Sequence, residues 1–278
     1  MPVTYSSLAE GAVAVLRTAA PDAKALAAQA LAAEWRSGGL AVGRATPPDR
    51  PARPARPELR PPRDMPKRRA TGSRENRIAL LHALAHIELN AIDLAVDMLA
   101  RFAAPELPRA FYQDWVQVAA EEAKHFRLLS DRLAALGAGY GDLPAHDGLW
   151  EAAAETAHDL LARLAVVPLV LEARGLDVTP KMIADLARAG DGDSAAMLRL
   201  IYEEEIGHVA IGRRWFGFEC ARRGLEQRDT WRALVRRHFK GSLKPPFNDA
   251  ARAAAGMAVE DYRGLEKALE VGIASAAS

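Results

Sequence analysis

Two short motifs carry the chemistry in this sequence: Glu122-Ala-Lys-His125 and Glu205-Ile-Gly-His208. In a helix the i, i+3 spacing sets both side chains at one level of one face, where a carboxylate and an imidazole can bind a single cation. Helical periodicity also places four glutamates where leucines are expected. Glu88 shares a face with Leu81, Leu84, Ile92, Ala95 and Leu99, and Glu122 lies among Trp115, Val118, Phe126 and Leu129. Glu172 ends the apolar run LARLAVVPLVLE, and Glu205 is flanked by Leu198, Ile201, Val209 and Phe216. A buried carboxylate without a partner costs several kcal/mol, and four would exceed the roughly 5–15 kcal/mol that holds a domain together. They need a cation. The expected ligands are Glu88, Glu122, His125, Glu172, Glu205 and His208, holding two ions with one histidine each and open positions for oxygen. Mixed oxygen and nitrogen ligation suits iron first, then manganese or a mixed iron–manganese pair. The single cysteine, Cys220, excludes an internal disulfide framework, a four-cysteine zinc site and a thiolate-held iron–sulfur cluster.

These residues must be positioned by helices. Half of the 278 residues are apolar, aromatics make up only 6%, and alanine and leucine dominate, which favours helix over strand. Capping and breaking signals predict helices over about 74–102, 110–136, 149–174 and 194–223, with a shorter helix starting near Pro180. Glu, Glu-x-x-His, Glu, Glu-x-x-His on four successive long helices is the ligand scheme of ferritin-like dinuclear bundles. The expected fold is therefore all-α: a ferritin-like four-helix bundle with extra N- and C-terminal helices. Residues 1–46 read as an N-terminal helical segment broken at Pro21-Asp22, 73–225 as the bundle, and 226–278 as a helical extension packed on it. The bundle needs a crossover between its second and third helices. The 13 residues from Gly137 to Leu149 barely reach, at about 3.3–3.6 Å each, so either part of Leu149 to His158 is expected outside the bundle or the third helix is expected to start late.

Residues 47–72 stand apart. Eight of the 17 prolines lie between Pro47 and Pro66, including the repeat RPARPARP, which suits an extended rod and forbids helix. Arg44 to Arg77 carries a net charge of +7 in a chain of net +1. A strap wrapped on the body is the expected role, its arginines pairing with acids such as Asp93 or Asp97; a basic arm for nucleic acid is the alternative. The stripe His82, His86, Asn90, Asp93 and Asp97 turns away from Glu88 and reads as a solvated face or a contact with this strap, with Asp93 and Asp97 as hydrogen-bond partners of the ligand histidines as the alternative. Glu121, Glu203 and Glu204 point off the ligand face, and His146 and Asp147 read as turn residues. Gly207, inside a helix between two ligands, is expected where backbones pack closely. Tyr202, one turn before Glu205, is the candidate for a catalytic side chain, with a packed core tyrosine as the simpler account.

Several segments then resemble a known family. HALAHIELNAIDLA, DWVQVAAEEAKHF, PAHDGLWE, VLEARGLDVTP and EEEIGHVAIGRRWF are similar to the bacterial ferritin-like proteins of the domain-of-unknown-function family 455. So are PPRDMPKRR and PPFN, and the resemblance covers roughly Ala52 to Gly256. It implies the ferritin-like fold and the same six ligands, and it implies no reaction. A more distant similarity is to ferritin-like tRNA hydroxylases.

The leading functional expectation is an O2-activating oxidoreductase, a hydroxylase or oxygenase acting on a small molecule or a modified base. Such an enzyme takes its electrons from an external donor, since no iron–sulfur or flavin motif is present. The alternatives are ferroxidase, iron or peroxide handling, and a metal-stabilised protein that meets RNA through the basic arm. No apolar run reads as a bilayer span and the N-terminus lacks a basic region before its apolar stretch, so a cytoplasmic monomer or homodimer without a membrane partner is expected.

Overall fold

The structure, a computed structural model, describes residues 5–65 and 72–265. It is all-α. Among the described residues the only β pairings are two isolated bridges, Ser7 with Ala41 and Leu59 with Ala145. The helices are α1 (Leu8–Leu16), α2 (Pro21–Arg36), α3 (Arg74–Arg101), α4 (Arg109–Ala135), α5 (Gly148–Glu155), α6 (Leu160–Val166), α7 (Ala173–Arg188), α8 (Gly192–Arg223), α9 (Gln227–His238), α10 (Asp249–Ala254) and α11 (Val259–Tyr262). A π-helical segment, Val167–Glu172, joins α6 to α7. The chain divides into two compact units, Met1–Trp150 and Glu151–Ser278.

In the first unit α3 packs along α4, with α1 against α3 and α2 against α4. Ser73 starts α3 by accepting from the Asn76 amide, and Pro21 opens α2 at a position where its missing N–H costs nothing. By length and apolar composition α3 could cross a membrane, unlike the sequence expectation; 72% of that window is buried inside the protein, as in a core helix.

The stripe on α3 is not solvated. His82, His86, Asn90, Asp93 and Asp97 are all buried, under the N-terminal helices and the Pro/Arg segment at Asn90 and Asp93 and under the α4–α5 connection at the two histidines. Lys24 of α2 donates to Asp93 and to the Ala52 carbonyl. Arg53 reaches Asp93 at 2.7 Å and also donates to Asn90. Arg101 pairs with Asp97 on its own helix. The segment is further tied down by backbone bonds from Ala52 to Leu16 and between Glu58–Arg60 and Ala145. Asp147, expected as a turn residue, is buried and accepts from Arg50. The basic residues Lys67, Arg68 and Arg69 of this segment, and the end of the C-terminal extension, lie outside the described residues.

The α4–α5 connection is organised by the two histidines. His82 Nε2 accepts from the Gly141 amide at 2.9 Å. Gly141 has φ +103°, and a Cβ there would lie 3.2 Å from Arg56 Cβ, so this turn calls for glycine. His86 Nε2 lies 3.0 Å from the His146 carbonyl, which can only accept, so Nδ1 is the acceptor for the Tyr140 hydroxyl at 2.8 Å. Burial pushes the His86 pKa down to about 4, and burial lowers that of His82 as well. Both rings fold as neutral groups, whereas in the unfolded chain they titrate near 6.5. Their contribution to stability is therefore complete above pH 6.5 and falls as pH drops from 6.5 toward 4, by about 3 kcal/mol for His86 alone. Urea unfolding of chelator-treated protein at pH 7 and pH 4.5 measures this. His86→Gln is expected to flatten the profile, and an equally steep fall in that variant would refute the assignment.

In the second unit α7 lies along α8, and the π segment and α6 also pack on α8. Here the expected boundaries shift. The third long helix starts at Leu160, after an Asp159 cap, later than its apolar pattern from Leu149 indicates and as the short connection requires. It also continues past Gly175 and Pro180 to Arg188 instead of stopping at Arg174. Trp231 of α9 donates to the Ala165 carbonyl at the head of the π segment. Pro180 leaves the Leu176 carbonyl without its helical donor, and the Asn248 amide supplies one at 3.2 Å. Gly212 permits the closest approach: a Cβ there would lie 2.3 Å from Pro168 Cβ.

Gly207 differs from the expectation of close packing. It is exposed, and a Cβ would meet nothing within 4 Å. Gly207→Ala should therefore stabilise the fold by up to about 1 kcal/mol through helix propensity, while Gly212→Ala should destabilise it. Paired thermal melts check both signs.

Candidate metal centre

The first unit brings three of the expected ligands together. Glu88 on α3 and Glu122 and His125 on α4 are buried, although each interrupts an apolar face. His125 Nδ1 lies 3.4 Å from a Glu88 carboxylate oxygen and 3.5 Å from one of Glu122. The three ligand atoms lie within 4.8 Å of one another, close enough to hold one ion.

The electrostatics fit a cation. Burial of the His125 ring works against a charge, but the Glu122 and Glu88 carboxylates outweigh it and push the pKa up to about 11. A proton on His125 thus occupies the place where two buried carboxylates call for positive charge. Two carboxylates and one imidazole are the donors that borderline divalent transition ions take.

The second unit repeats half of this pattern. His208 Nδ1 lies 3.4 Å from a Glu205 oxygen on the same face of α8, with His208 buried and Glu205 15% exposed. Glu172 is the last residue of the π segment and is half-buried. A wider turn inserts a residue and rotates every following side chain about the helix axis, so the π segment sets the direction in which Glu172 leaves its helix. Sequence periodicity treated this stretch as regular helix; the proline inside LARLAVVPLVLE was the visible sign that it is not.

Tyr202 has a structural partner. Its hydroxyl accepts from the Asn248 amide at 2.9 Å, and it lines a pocket with Pro180, Ile183 and Arg199. Glu121 accepts from Gln117, one turn back on α4. Sequence reasoning did not find Lys24 or Tyr140, both of which support α3 behind Glu88. A lysine in an alanine-rich amphipathic helix gives no local sign of burial.

An all-α protein with buried carboxylates and an imidazole gathered within reach of one ion belongs to the class of candidate metal-binding helical proteins. Residues 17–263 match the family described as protein of unknown function (DUF455), and the chain belongs to that family. It is similar to an uncharacterized protein of Haemophilus influenzae, 44% identical over 208 residues that make up 73% of this chain and 72% of that protein. No solved structure matches the chain.

Proposed function

We propose that Glu88, Glu122 and His125 together with Glu172, Glu205 and His208 hold two metal ions, iron first in preference, and that the protein is an O2-activating oxidoreductase. The observation that carries this reading is the grouping of Glu88, Glu122 and His125, with its carboxylate–imidazole spacing repeated at Glu205 and His208. A dinuclear iron centre supplies the two-electron chemistry with dioxygen that no side chain of this protein can perform. The residues' own work is to hold the ions with four carboxylates, which neutralise four positive charges and favour an oxidised metal pair. His125 and His208 add one neutral donor per ion and leave the remaining positions to solvent or substrate. The π segment aims Glu172, and the apolar residues around Glu122 keep bulk water away. Electrons come from a separate donor protein, and the substrate is a small organic molecule or a modified base. Such a centre requires the α3–α4 and α7–α8 pairs to come together in a four-helix, ferritin-like arrangement.

The test is metal analysis of protein purified without oxygen, followed by exposure to oxygen under optical observation. Two iron ions per chain and a new near-ultraviolet band on oxidation are expected. Iron addition is also expected to raise the melting temperature, because the ions bind the folded chain and not the unfolded one. Glu122→Ala should abolish that rise. A single zinc that is lost on Glu122→Ala, or a melting curve unmoved by Fe(II) and Mn(II), would sink the proposal.

A further inference from the structure

Glu155-Thr-Ala-His158 is a third Glu-x-x-His spacing, outside the six residues assigned above. It lies in the second unit, where α5 ends at Glu155 and Asp159 caps α6. Beside it is His238, the last residue of α9. The His158 and His238 rings have centroids 5.2 Å apart and an interplanar angle of 48°.

That separation is informative. A zinc-type ion bonds an imidazole nitrogen at about 2.0–2.1 Å, which puts it roughly 3.1 Å from the ring centroid. Two imidazoles at a tetrahedral angle around such an ion then have centroids about 5.1 Å apart. His238 is 7% exposed, and its Nδ1 is shielded from water with no hydrogen-bond partner among the described residues. A buried polar atom in that state costs about 1–3 kcal/mol unless something takes it.

We propose that His158, His238 and Glu155 form a separate site for one divalent transition ion of the zinc class. Glu155 is held by Lys240 at 2.9 Å, both side chains being exposed. A surface pair of this kind is worth about 0–1 kcal/mol, so the carboxylate can turn from Lys240 to a bound ion. The neighbouring Arg237 and Lys240 oppose any site that works by charge alone. Selection therefore rests on the two nitrogen donors, which excludes magnesium and calcium and favours zinc, nickel or copper. His158 is exposed, so the fourth position is open to water.

The experiment titrates chelator-treated full-length protein with zinc chloride and counts bound ions by native mass spectrometry. His158→Ala alters an exposed side chain and is expected to bind one zinc fewer than the unaltered protein, with the same metal-free melting temperature. His238→Gln should lose the same ion, and His125→Ala should keep it. The readout is the difference between the unaltered protein and His158→Ala, so it is independent of whether the six-ligand centre loads. Equal zinc counts for those two proteins would overturn the proposal.

Discussion

Arg252→Met is expected to destabilise the protein by about 3–5 kcal/mol, one of the two largest single effects the fold predicts. Arg252 is 1% exposed and its partner Asp177 is fully buried. The guanidinium bonds both carboxylate oxygens, Nε to Oδ1 at 2.8 Å and an Nη to Oδ2 at 2.7 Å. It also lies over the Tyr262 ring at 4.6 Å and the Phe247 ring at 5.1 Å. Removing the cation leaves a carboxylate in a site where water cannot replace it. The Asn248 amide also donates to Asp177, and Asn248 in turn serves the Leu176 carbonyl beside Pro180. One residue thus links α7, α10 and α11. The conservative Arg252→Lys should recover only part of the loss, since an ammonium cannot make the two parallel bonds. Chemical denaturation at pH 7 measures the effect. A loss under 1 kcal/mol would mean that the pair is not buried as described.

Much of this was legible in the chain, for a physical reason in each case. The helices α3, α4 and α8 each carry an apolar stripe of seven turns or more, a repeated signal that a wrong residue or two cannot hide. Glu88, Glu122 and His125 stood out because a carboxylate inside such a stripe contradicts its surroundings, and the contradiction is local. The stretch from Leu149 to Arg188 was read less well. Its breaks come from a cap at Asp159 and a π segment at Val167–Glu172, and it runs through Gly175, which reads as a stop, and Pro180, which reads as the start of a separate helix. Continuation past Pro180 depends on Asn248, 68 positions further along, and no window of neighbouring residues contains that information. The burial of His82, His86, Asn90, Asp93 and Asp97 was hidden in the same way. Their polarity describes the side chains, while their burial depends on groups that arrive from other segments, Lys24 and Arg53 at Asp93 and Asn90, and Tyr140, Gly141 and His146 at the two histidines.

The Asp93 cluster gives the other large effect and tests how the Pro/Arg segment contributes. Asp93 is fully buried and faces Lys24, itself 1% exposed, and Arg53, 17% exposed. Asp93→Ala leaves the Lys24 ammonium in the core with only the Ala52 carbonyl as a partner. A cost of about 3–5 kcal/mol is expected, together with release of α2 and of the segment around Arg53 from α3. Proteolysis should then cut near Arg50–Arg56, a stretch that the intact protein protects through Pro51 and Pro57, both buried. The charges themselves are dispensable if their removal is balanced. A triple variant, Lys24→Met, Arg53→Met and Asp93→Leu, buries three apolar side chains of similar length in place of three ions. It should recover most of the lost stability, because desolvating a buried ion pair offsets much of its attraction. Arg53→Met alone should cost less than Asp93→Ala, since Lys24 still neutralises the carboxylate. Denaturation of the four proteins at pH 7 decides the matter. If the triple variant is as unstable as Asp93→Ala, the charges hold the segment by a directional fit that apolar packing cannot replace.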